Sequence, residues 1–166
     1  MLPAATHGFT QIPTSLPGRR AMMVRTIRSD ILASAPTVDI AELDRVLSVV
    51  GDIRREDFIA KEARSLAYID APLNIEFGQT ISDPYIVAVM TVAAHVPAGG
   101  IVLDIGTGSG YQAAVLSRLV RRVVSIEIVP ELARAAARRL RRQGYRNVDV
   151  RAGDGFAGSP ADRSMR

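Results

Sequence analysis

The chain has no cysteine among its 166 residues. Disulfide bonds and cysteine-based metal sites are therefore excluded, and such a composition suits a protein of the reducing cytoplasm. Aromatic residues are few, with 4 tyrosines and 4 phenylalanines, and Lys61 is the single lysine. Because nucleic-acid surfaces usually combine basic with aromatic side chains, this composition argues against a nucleic-acid partner despite a net charge of +4.

Long apolar runs are also missing. No run approaches the length of a membrane-spanning helix, and the sequence begins without the charged-then-apolar pattern of a secretory signal. We therefore predict a cytoplasmic protein that binds no membrane. His7 and His95 lie apart from any cluster of ligating residues, so no metal ion is predicted. With 48% apolar residues the chain can still bury a sizeable core.

The segment Ile101-Val-Leu-Asp-Ile-Gly-Thr-Gly-Ser-Gly110 is the most informative part of the chain. Its aliphatic run predicts a buried parallel strand, and glycines directly after a strand allow a tight turn and the close approach of a ligand. The spacing is G-x-G-x-G, and Tyr111 stands where a dinucleotide-binding G-x-G-x-x-G sequence has its third glycine. This difference favours S-adenosylmethionine over NAD, with a generic strand-to-helix turn as the alternative.

A second aliphatic strand is predicted over 122–127, and it ends in Glu127. This acid lies about twenty residues beyond Gly106, the spacing at which α/β nucleotide-binding folds place a carboxylate on a ribose. An ionised glutamate can accept hydrogen bonds from both ribose hydroxyls, whereas the alternative is an exposed charge at a strand end. A third strand is predicted over 147–151, followed by Asp154 in a Gly-Asp-Gly turn of a common kind.

These patterns divide the chain into three parts. Residues 1–20 are rich in Pro, Gly, Thr and Ser and have no hydrophobic period, so we predict a disordered leader over 1–25. A helical segment containing a loop over 71–84 is predicted for 26–96, and the first half of an α/β nucleotide-binding domain for 97–166. Helices are predicted from Asp39, a candidate N-cap, to a stop at Gly51, and over 85–94, 111–120 and 130–143.

Motifs over roughly residues 40–156 resemble the protein-L-isoaspartate O-methyltransferases. The matching elements are Ala67-Tyr68, Asp70, Pro72-Leu73, Gly78-Gln-Thr-Ile-Ser82, Pro84-Tyr-Ile-Val-Ala88, Ile105-Gly-Thr-Gly-Ser-Gly-Tyr-Gln-Ala-Ala-Val-Leu116, Ser125-Ile-Glu127, Asn147-Val148 and Gly153-Asp-Gly155. The Gly-Gln-Thr-Ile-Ser element is much more specific than the glycine loop, which all class I methyltransferases share. The resemblance implies a Rossmann-like three-layer α/β/α fold with a parallel sheet. It also implies methyl transfer from S-adenosylmethionine to isoaspartyl and D-aspartyl carboxylates of damaged proteins, which initiates their repair.

The same resemblance assigns roles to individual residues. Ser82 is implied to be the active-site hydroxyl that orients the substrate carboxylate, although it could instead be the N-cap of the helix that follows. Cofactor contacts are implied for the loop residues Gln79, Thr80 and Ile81, for Asp104, Gly106, Thr107, Gly108, Ser109 and Gly110, for Glu127 at the ribose, and for Asp154 and Gly155 on the adenine side.

The sequence departs from the family pattern in two respects. Asn74, Glu76 and Asp83 replace residues usual in the substrate loop, and an acid there repels an incoming carboxylate unless it is screened. The final residues also lack the further strands of the family, so we expect a truncated chain with an exposed aliphatic strand edge. Two alternative functions stay open: a binding module that holds S-adenosylmethionine without turnover, and a class I methyltransferase with another acceptor, such as a nucleic acid or small molecule. In each case we predict a monomer.

Overall fold

The computed structural model describes residues 12–157. Helices α1 (Leu16–Ser34), α2 (Ile40–Asp52) and α3 (Pro84–Ala93) precede the main sheet, and the short strands β1 (Leu73–Asn74) and β2 (Thr80–Ile81) lie between α2 and α3. Strands and helices then alternate as β3 (Ile101–Ile105), α4 (Tyr111–Ser117), β4 (Arg122–Glu127), α5 (Pro130–Arg142) and β5 (Val148–Ala152). Short 3₁₀ turns cover Arg55–Asp57, Lys61–Leu66, Glu76–Gly78 and Gly155–Ala157.

Strands β3, β4 and β5 form a parallel sheet in that order. Residues 123–127 of β4 are each at most 5% exposed, although successive side chains of a strand point to opposite faces. Both faces of the sheet are therefore covered at β4. This arrangement confirms the predicted α/β class, in which a parallel sheet is covered on both faces and helices precede it in the chain.

Strand β3 is an edge strand within residues 12–157. The side chains of Leu103 and Ile105 are 43% and 54% exposed, whereas Asp104 between them is buried. The described part of the chain thus has the exposed aliphatic edge that the sequence predicts. Such an edge presents unpaired backbone groups and apolar surface together, which favours association with another strand.

The predicted leader over 1–25 is wrong from Leu16 onwards, because α1 begins there. The Ser15 hydroxyl accepts a hydrogen bond from the Gly18 amide at 3.2 Å, and Pro17 stands in the first turn, where a proline is tolerated. Met23 and Ile27 are buried against the other helices. The proline and glycine that suggested a loop belong to a helix start. Residues 1–11 lie outside the described residues.

The predicted helix after Asp39 is confirmed as α2. The Asp39 carboxylate accepts hydrogen bonds from the amides of Ala41 and Glu42 at 2.9 Å and 3.2 Å, and the helix ends at Asp52, just beyond the predicted stop. Its apolar face packs with α1 and α3 in one core. Among the helices between residues 12 and 157, none combines the length and apolar character needed to span a bilayer.

A half-buried ion pair on α2 contacts the segment between α3 and β3 and gives the fold an expected pH dependence. The Arg45 guanidinium donates to both carboxylate oxygens of Glu42 at 2.8 Å and to the Val96 carbonyl at 2.9 Å. Its hydrogen bond holds the pKa of Glu42 below the ordinary range. Because the folded pKa is lowered, the stabilisation is present above the unfolded pKa and is lost as the pH falls through the folded one.

Replacing Glu42 with glutamine is therefore expected to lower the free energy of unfolding by about 1 kcal/mol at pH 7. The difference from wild type should disappear as the pH falls below about 4.3, the unfolded pKa of a glutamate. Urea unfolding of wild type and variant between pH 7 and about pH 4 measures this difference in the free energy of unfolding. Glu131→Gln is the matched control, since its (i, i+3) pair with Arg134 is largely exposed and should have little effect. A pH-independent loss in Glu42→Gln would contradict the assignment.

Candidate functional site

The glycine loop makes the tight turn from β3 to α4 that the sequence predicts. Gly106, Gly108 and Gly110 have φ angles of 87°, 53° and 89°, in the left-handed region that favours glycine. The Gly106 amide donates to the Ile126 carbonyl of β4 at 2.8 Å, and the Gly110 amide donates to the Thr107 carbonyl at 2.8 Å. The loop is therefore fastened both to the neighbouring strand and to itself.

The space around these glycines differs from one to the next. A Cβ placed on Gly106 meets no described atom within 4 Å, so this position opens onto free space at the carboxyl edge of the sheet. A Cβ on Gly108 would lie 3.7 Å from the Ile75 Cδ1 and 3.9 Å from the Thr80 carbonyl oxygen. The segment that carries Thr80 therefore lies directly over the glycine loop, and the structure brings the two predicted halves of the site together.

That covering segment is a small antiparallel hairpin formed by β1 and β2. Leu73 pairs with Ile81, and the Ile75 amide donates to the Gln79 carbonyl at 2.8 Å. Gln79 and Thr80 are exposed, but Ile81 is 4% exposed and belongs to the core. Of the three loop residues predicted to contact the cofactor, Ile81 therefore points its side chain into the protein interior.

Ser82 follows the hairpin and is exposed. The alternative that Ser82 caps α3 is wrong, because the Asp83 carboxylate accepts the hydrogen bond from the Ile86 amide at 2.7 Å. An aspartate is favoured at such a position, since its carboxylate satisfies an unpaired amide of the first turn. Asp83, one of the departures from the family pattern, thus has a structural role, and the Ser82 hydroxyl is not used by the cap.

Glu127 lies at the end of β4, beside the glycine loop, as predicted. The residue is 5% exposed, and its carboxylate accepts hydrogen bonds from the Gly108 amide at 2.8 Å and the Val129 amide at 3.0 Å. A carboxylate oxygen has more than one acceptor direction, so these contacts leave acceptor capacity. The alternative of an exposed strand-end charge is wrong, since Glu127 is buried and fastens the loop.

A chain of buried polar groups links β3, β4 and the loop. The Ser125 hydroxyl donates to the Asp104 carboxylate at 2.7 Å and forms a hydrogen bond with the Thr107 hydroxyl at 2.6 Å. Burial raises the pKa of Asp104. Asp104 and Thr107, both predicted to contact cofactor, use these side-chain atoms within the protein. Ser125 was missed as a contributor; a polar residue in an aliphatic strand, in register with Asp104, is the signal for it.

The remaining part of the loop is held by α5. Ser109 is 4% exposed, and its hydroxyl accepts from the Tyr111 amide at 3.3 Å. Its carbonyl accepts from the Arg139 guanidinium at 2.8 Å, and burial lowers the pKa of Arg139. Arg139 is a second residue that the sequence does not reveal, because it stands among arginines typical of a helix C-terminus. The Ser109 side chain supports the loop from within.

Asp154 and Gly155 follow β5 at the same carboxyl edge as Gly106 and Glu127. The Asp154 carboxylate is exposed and accepts from the Phe156 amide at 2.9 Å. Gly155 packs against Ile105, since a Cβ there would clash with the Ile105 side chain. In parallel α/β sheets the ligand binds at the carboxyl ends of the strands, and the ends of β3, β4 and β5 meet here.

The comparisons with known proteins agree with this architecture. The family described as protein-L-isoaspartate(D-aspartate) O-methyltransferase matches residues 27–163. A curated protein-L-isoaspartate O-methyltransferase 2 from Syntrophobacter fumaroxidans is 49% identical over 140 residues, which is 84% of this chain and 57% of that protein. A solved protein-L-isoaspartate O-methyltransferase superposes with a TM-score of 0.69 at 29% identity, covering 86% of this chain and 46% of the other.

A Plasmodium falciparum structure in complex with S-adenosyl-L-homocysteine shares the fold, with a TM-score of 0.59 and 20% identity over 80% of this chain and 62% of that one. The chain spans between 48% and 64% of the length of the curated relatives that it matches. Because the family match extends over most of the sequence, the chain belongs to the protein-L-isoaspartate(D-aspartate) O-methyltransferase family.

Proposed function

We propose that the chain binds S-adenosylmethionine and methylates the carboxylate of isoaspartyl and D-aspartyl residues in damaged proteins. The observation that supports this most directly is the position of the β1–β2 hairpin over the glycine loop, with Ile75 and Thr80 against Gly108. The hairpin leads into Ser82, the residue assigned to the acceptor. Donor and acceptor segments of the family are therefore adjacent in this chain, as direct transfer between two substrates requires.

The residues present fit the methyl donor. Gly106, after β3, opens onto free space. Glu127, at the end of β4, offers an acceptor-only carboxylate beside the glycine loop, and Asp154 lies exposed just after β5. We assign the methionine end to the glycine loop, the ribose to Glu127 and the adenine side to Asp154 and Gly155. When bound, S-adenosylmethionine supplies a methyl group on a sulfonium sulfur, which a carboxylate oxygen accepts as the carbon–sulfur bond breaks.

The acceptor needs little chemical activation. A carboxyl group has an ordinary pKa of about 4 and is ionised near neutral pH, so no general base is required. The contribution of the protein is to hold two groups close and aligned, which is worth up to about 7–11 kcal/mol in favourable cases. We assign this task to the Ser82 hydroxyl, which donates to the substrate carboxylate, and to the hairpin that places it.

The test is methyl transfer to a synthetic peptide containing one isoaspartyl residue, measured beside the same peptide with a normal aspartyl residue. We expect methyl ester only on the isoaspartyl peptide. Ser82→Ala should lower kcat/KM roughly tenfold to 100-fold, as expected for a hydrogen bond to a charged group. Ser48→Ala, an exposed serine of α2, should leave it unchanged. Equal methylation of both peptides, or wild-type activity in Ser82→Ala, would count against the assignment.

A second candidate function is binding of the cofactor without turnover. It is favoured by the position of β3 at the edge of the described sheet, where Leu103 and Ile105 are exposed. In doubly wound sheets the first strand has neighbouring strands on both sides, and the ligand lies at its carboxyl end, where the two halves of the sheet meet. Under this candidate, S-adenosylhomocysteine raises the melting temperature but no methyl ester forms. Monomeric state, cytoplasmic location and the lack of a nucleic-acid partner stay predictions from the sequence.

A further inference from the structure

Arg55 is a fully buried cation that binds backbone carbonyls instead of a carboxylate. The residue follows α2 and is 0% exposed. Its Nη1 donates to the Ala67 carbonyl at 2.6 Å, and its Nη2 donates to the carbonyls of Ala71 and Ser82 at 3.3 Å and 2.9 Å. Desolvation lowers the pKa of Arg55. Burying a charge is costly unless polar groups replace the water that it loses, and the three carbonyls do so here. Hydrogen bonds to all three also restrict the guanidinium to one position.

The three carbonyls belong to one segment, which we name the acceptor loop (residues 67–82). Ala67 is its first residue, Ala71 lies just before the hairpin, and Ser82 is its last residue. One guanidinium therefore binds both ends of the loop and its entry into the hairpin. Because an arginine presents donors in a rigid planar fork, the three bonds set the position of Ser82 relative to the start of the loop.

The same side chain also contacts the donor half of the site. The guanidinium carbon of Arg55 lies 5.9 Å from the centroid of the Tyr111 ring. Tyr111 is the first residue of α4 and directly follows Gly110, the last glycine of the loop; it is 1% exposed. Arg55 thus lies between the acceptor loop and the helix that leaves the glycine loop.

We propose that Arg55 is a positioning residue for methyl transfer, which holds Ser82 of the acceptor loop in register with the glycine loop. The inference rests on the proposed function, because register matters for a reaction between two bound substrates. Displacing a reacting group by up to about 1 Å lowers the rate roughly ten- to 100-fold. Arg55 touches neither substrate; it acts through the backbone of the loop.

The glycine loop has supports of its own, which makes the effect of Arg55 selective. Gly108 is held by Glu127, Thr107 by Ser125, and the Ser109 carbonyl by Arg139. None of these contacts involves Arg55. Weakening the guanidinium bonds should therefore loosen the acceptor loop more than the glycine loop, and should lower the affinity for S-adenosylhomocysteine less than it lowers kcat/KM.

The experiment compares Arg55→Lys with Arg45→Lys in the full chain. A lysine keeps the charge but cannot reach three carbonyls with a planar fork. Arg45 is the matched control, because it is half-buried, donates to the Val96 carbonyl at 2.9 Å and lies outside the acceptor loop. Hydrogen exchange is followed at the amides of Ile75 and Tyr85, which donate to Gln79 and Asp70, and kinetics are measured with the isoaspartyl peptide.

In Arg55→Lys we expect exchange over 67–85 to accelerate at least about tenfold, with residues 101–110 unchanged. We also expect kcat/KM for the peptide to fall on the order of tenfold, and the affinity for S-adenosylhomocysteine to fall by less. Arg45→Lys should change neither quantity. Uniform acceleration along the chain, or unchanged exchange in the acceptor loop, would overturn the inference. If Arg55→Lys does not fold, Arg55→Gln, which removes the buried charge, replaces it in the same measurements.

Failure of the proposed function is a separate result. If the wild-type chain forms no methyl ester, the proposed function is wrong for this chain, whereas exchange over 67–85 still decides whether Arg55 holds the loop. If the wild type is active and Arg55→Lys loosens the loop without loss of kcat/KM, the positioning role is wrong although the contacts are real.

Discussion

Gly110→Ala is expected to lower the free energy of unfolding by about 3 kcal/mol. Gly110 has a φ of 89°, and an alanine in the left-handed region costs about 1–2 kcal/mol. Its Cβ would also lie 3.1 Å from the Leu140 Cδ1, 3.2 Å from its Cγ and 3.6 Å from the Ala136 Cβ. Crowding a packed core adds roughly 1–3 kcal/mol, since α5 has to move away from the loop.

Denaturant unfolding of purified wild type and variant measures this difference. Gly144→Ala is the matched control, because Gly144 has a φ of 85° but no described atom lies within 4 Å of the Cβ position. It should show the backbone cost alone, about 1–2 kcal/mol. Equal losses in the two variants would mean that contact with α5 does not explain why a glycine is needed at position 110.

Gly106→Ala is expected to leave the fold nearly as stable as Gly144→Ala but to abolish most cofactor binding. Gly106 has a φ of 87°, and its Cβ position is likewise free of described atoms within 4 Å. In our proposal that free space receives the methionine end of the cofactor. The methyl group of an alanine would occupy that space, and the cofactor and the loop would have to move apart at a cost of about 3 kcal/mol. This cost corresponds to roughly a 150-fold loss of affinity for the cofactor.

Thermal unfolding with and without S-adenosylhomocysteine separates the two effects. A ligand at 100 times its Kd adds about 2.7 kcal/mol to the stability of the native state, so the wild type and Gly144→Ala should gain several degrees in Tm. Gly106→Ala should gain almost nothing at the same ligand concentration. An undiminished shift in Gly106→Ala would place the cofactor elsewhere, and no shift in the wild type would contradict cofactor binding by this chain.

The strands of the main sheet were predictable because their sequence pattern is local. The first two predicted strands coincide with β3 and β4, and the third is displaced by one position in β5. An aliphatic run such as Val123 to Ile126 has few other conformations that bury it completely. The glycine loop was predictable for a related reason, since three alternate glycines permit left-handed backbone that other residues rarely adopt.

The predicted leader failed because Pro17 and Gly18 indicate a turn when only neighbouring residues are considered. Leu16 starts a helix there, since Met23, Ile27 and Ile31 are buried on other helices. Their burial outweighs the weak local preference, as helices in proteins are stabilised largely by packing of an apolar face. The contact that reverses the prediction comes from distant segments of the chain.

What could be derived from the residues in order was the parallel α/β unit, the glycine turn and the acid that follows it. Tertiary structure alone decided that Ser125 holds Asp104 and that Arg55 closes the acceptor loop. Local patterns depend on the conformations open to neighbouring residues, which the sequence states directly. A buried guanidinium instead depends on carbonyls supplied by other segments, and only the packed chain brings these together.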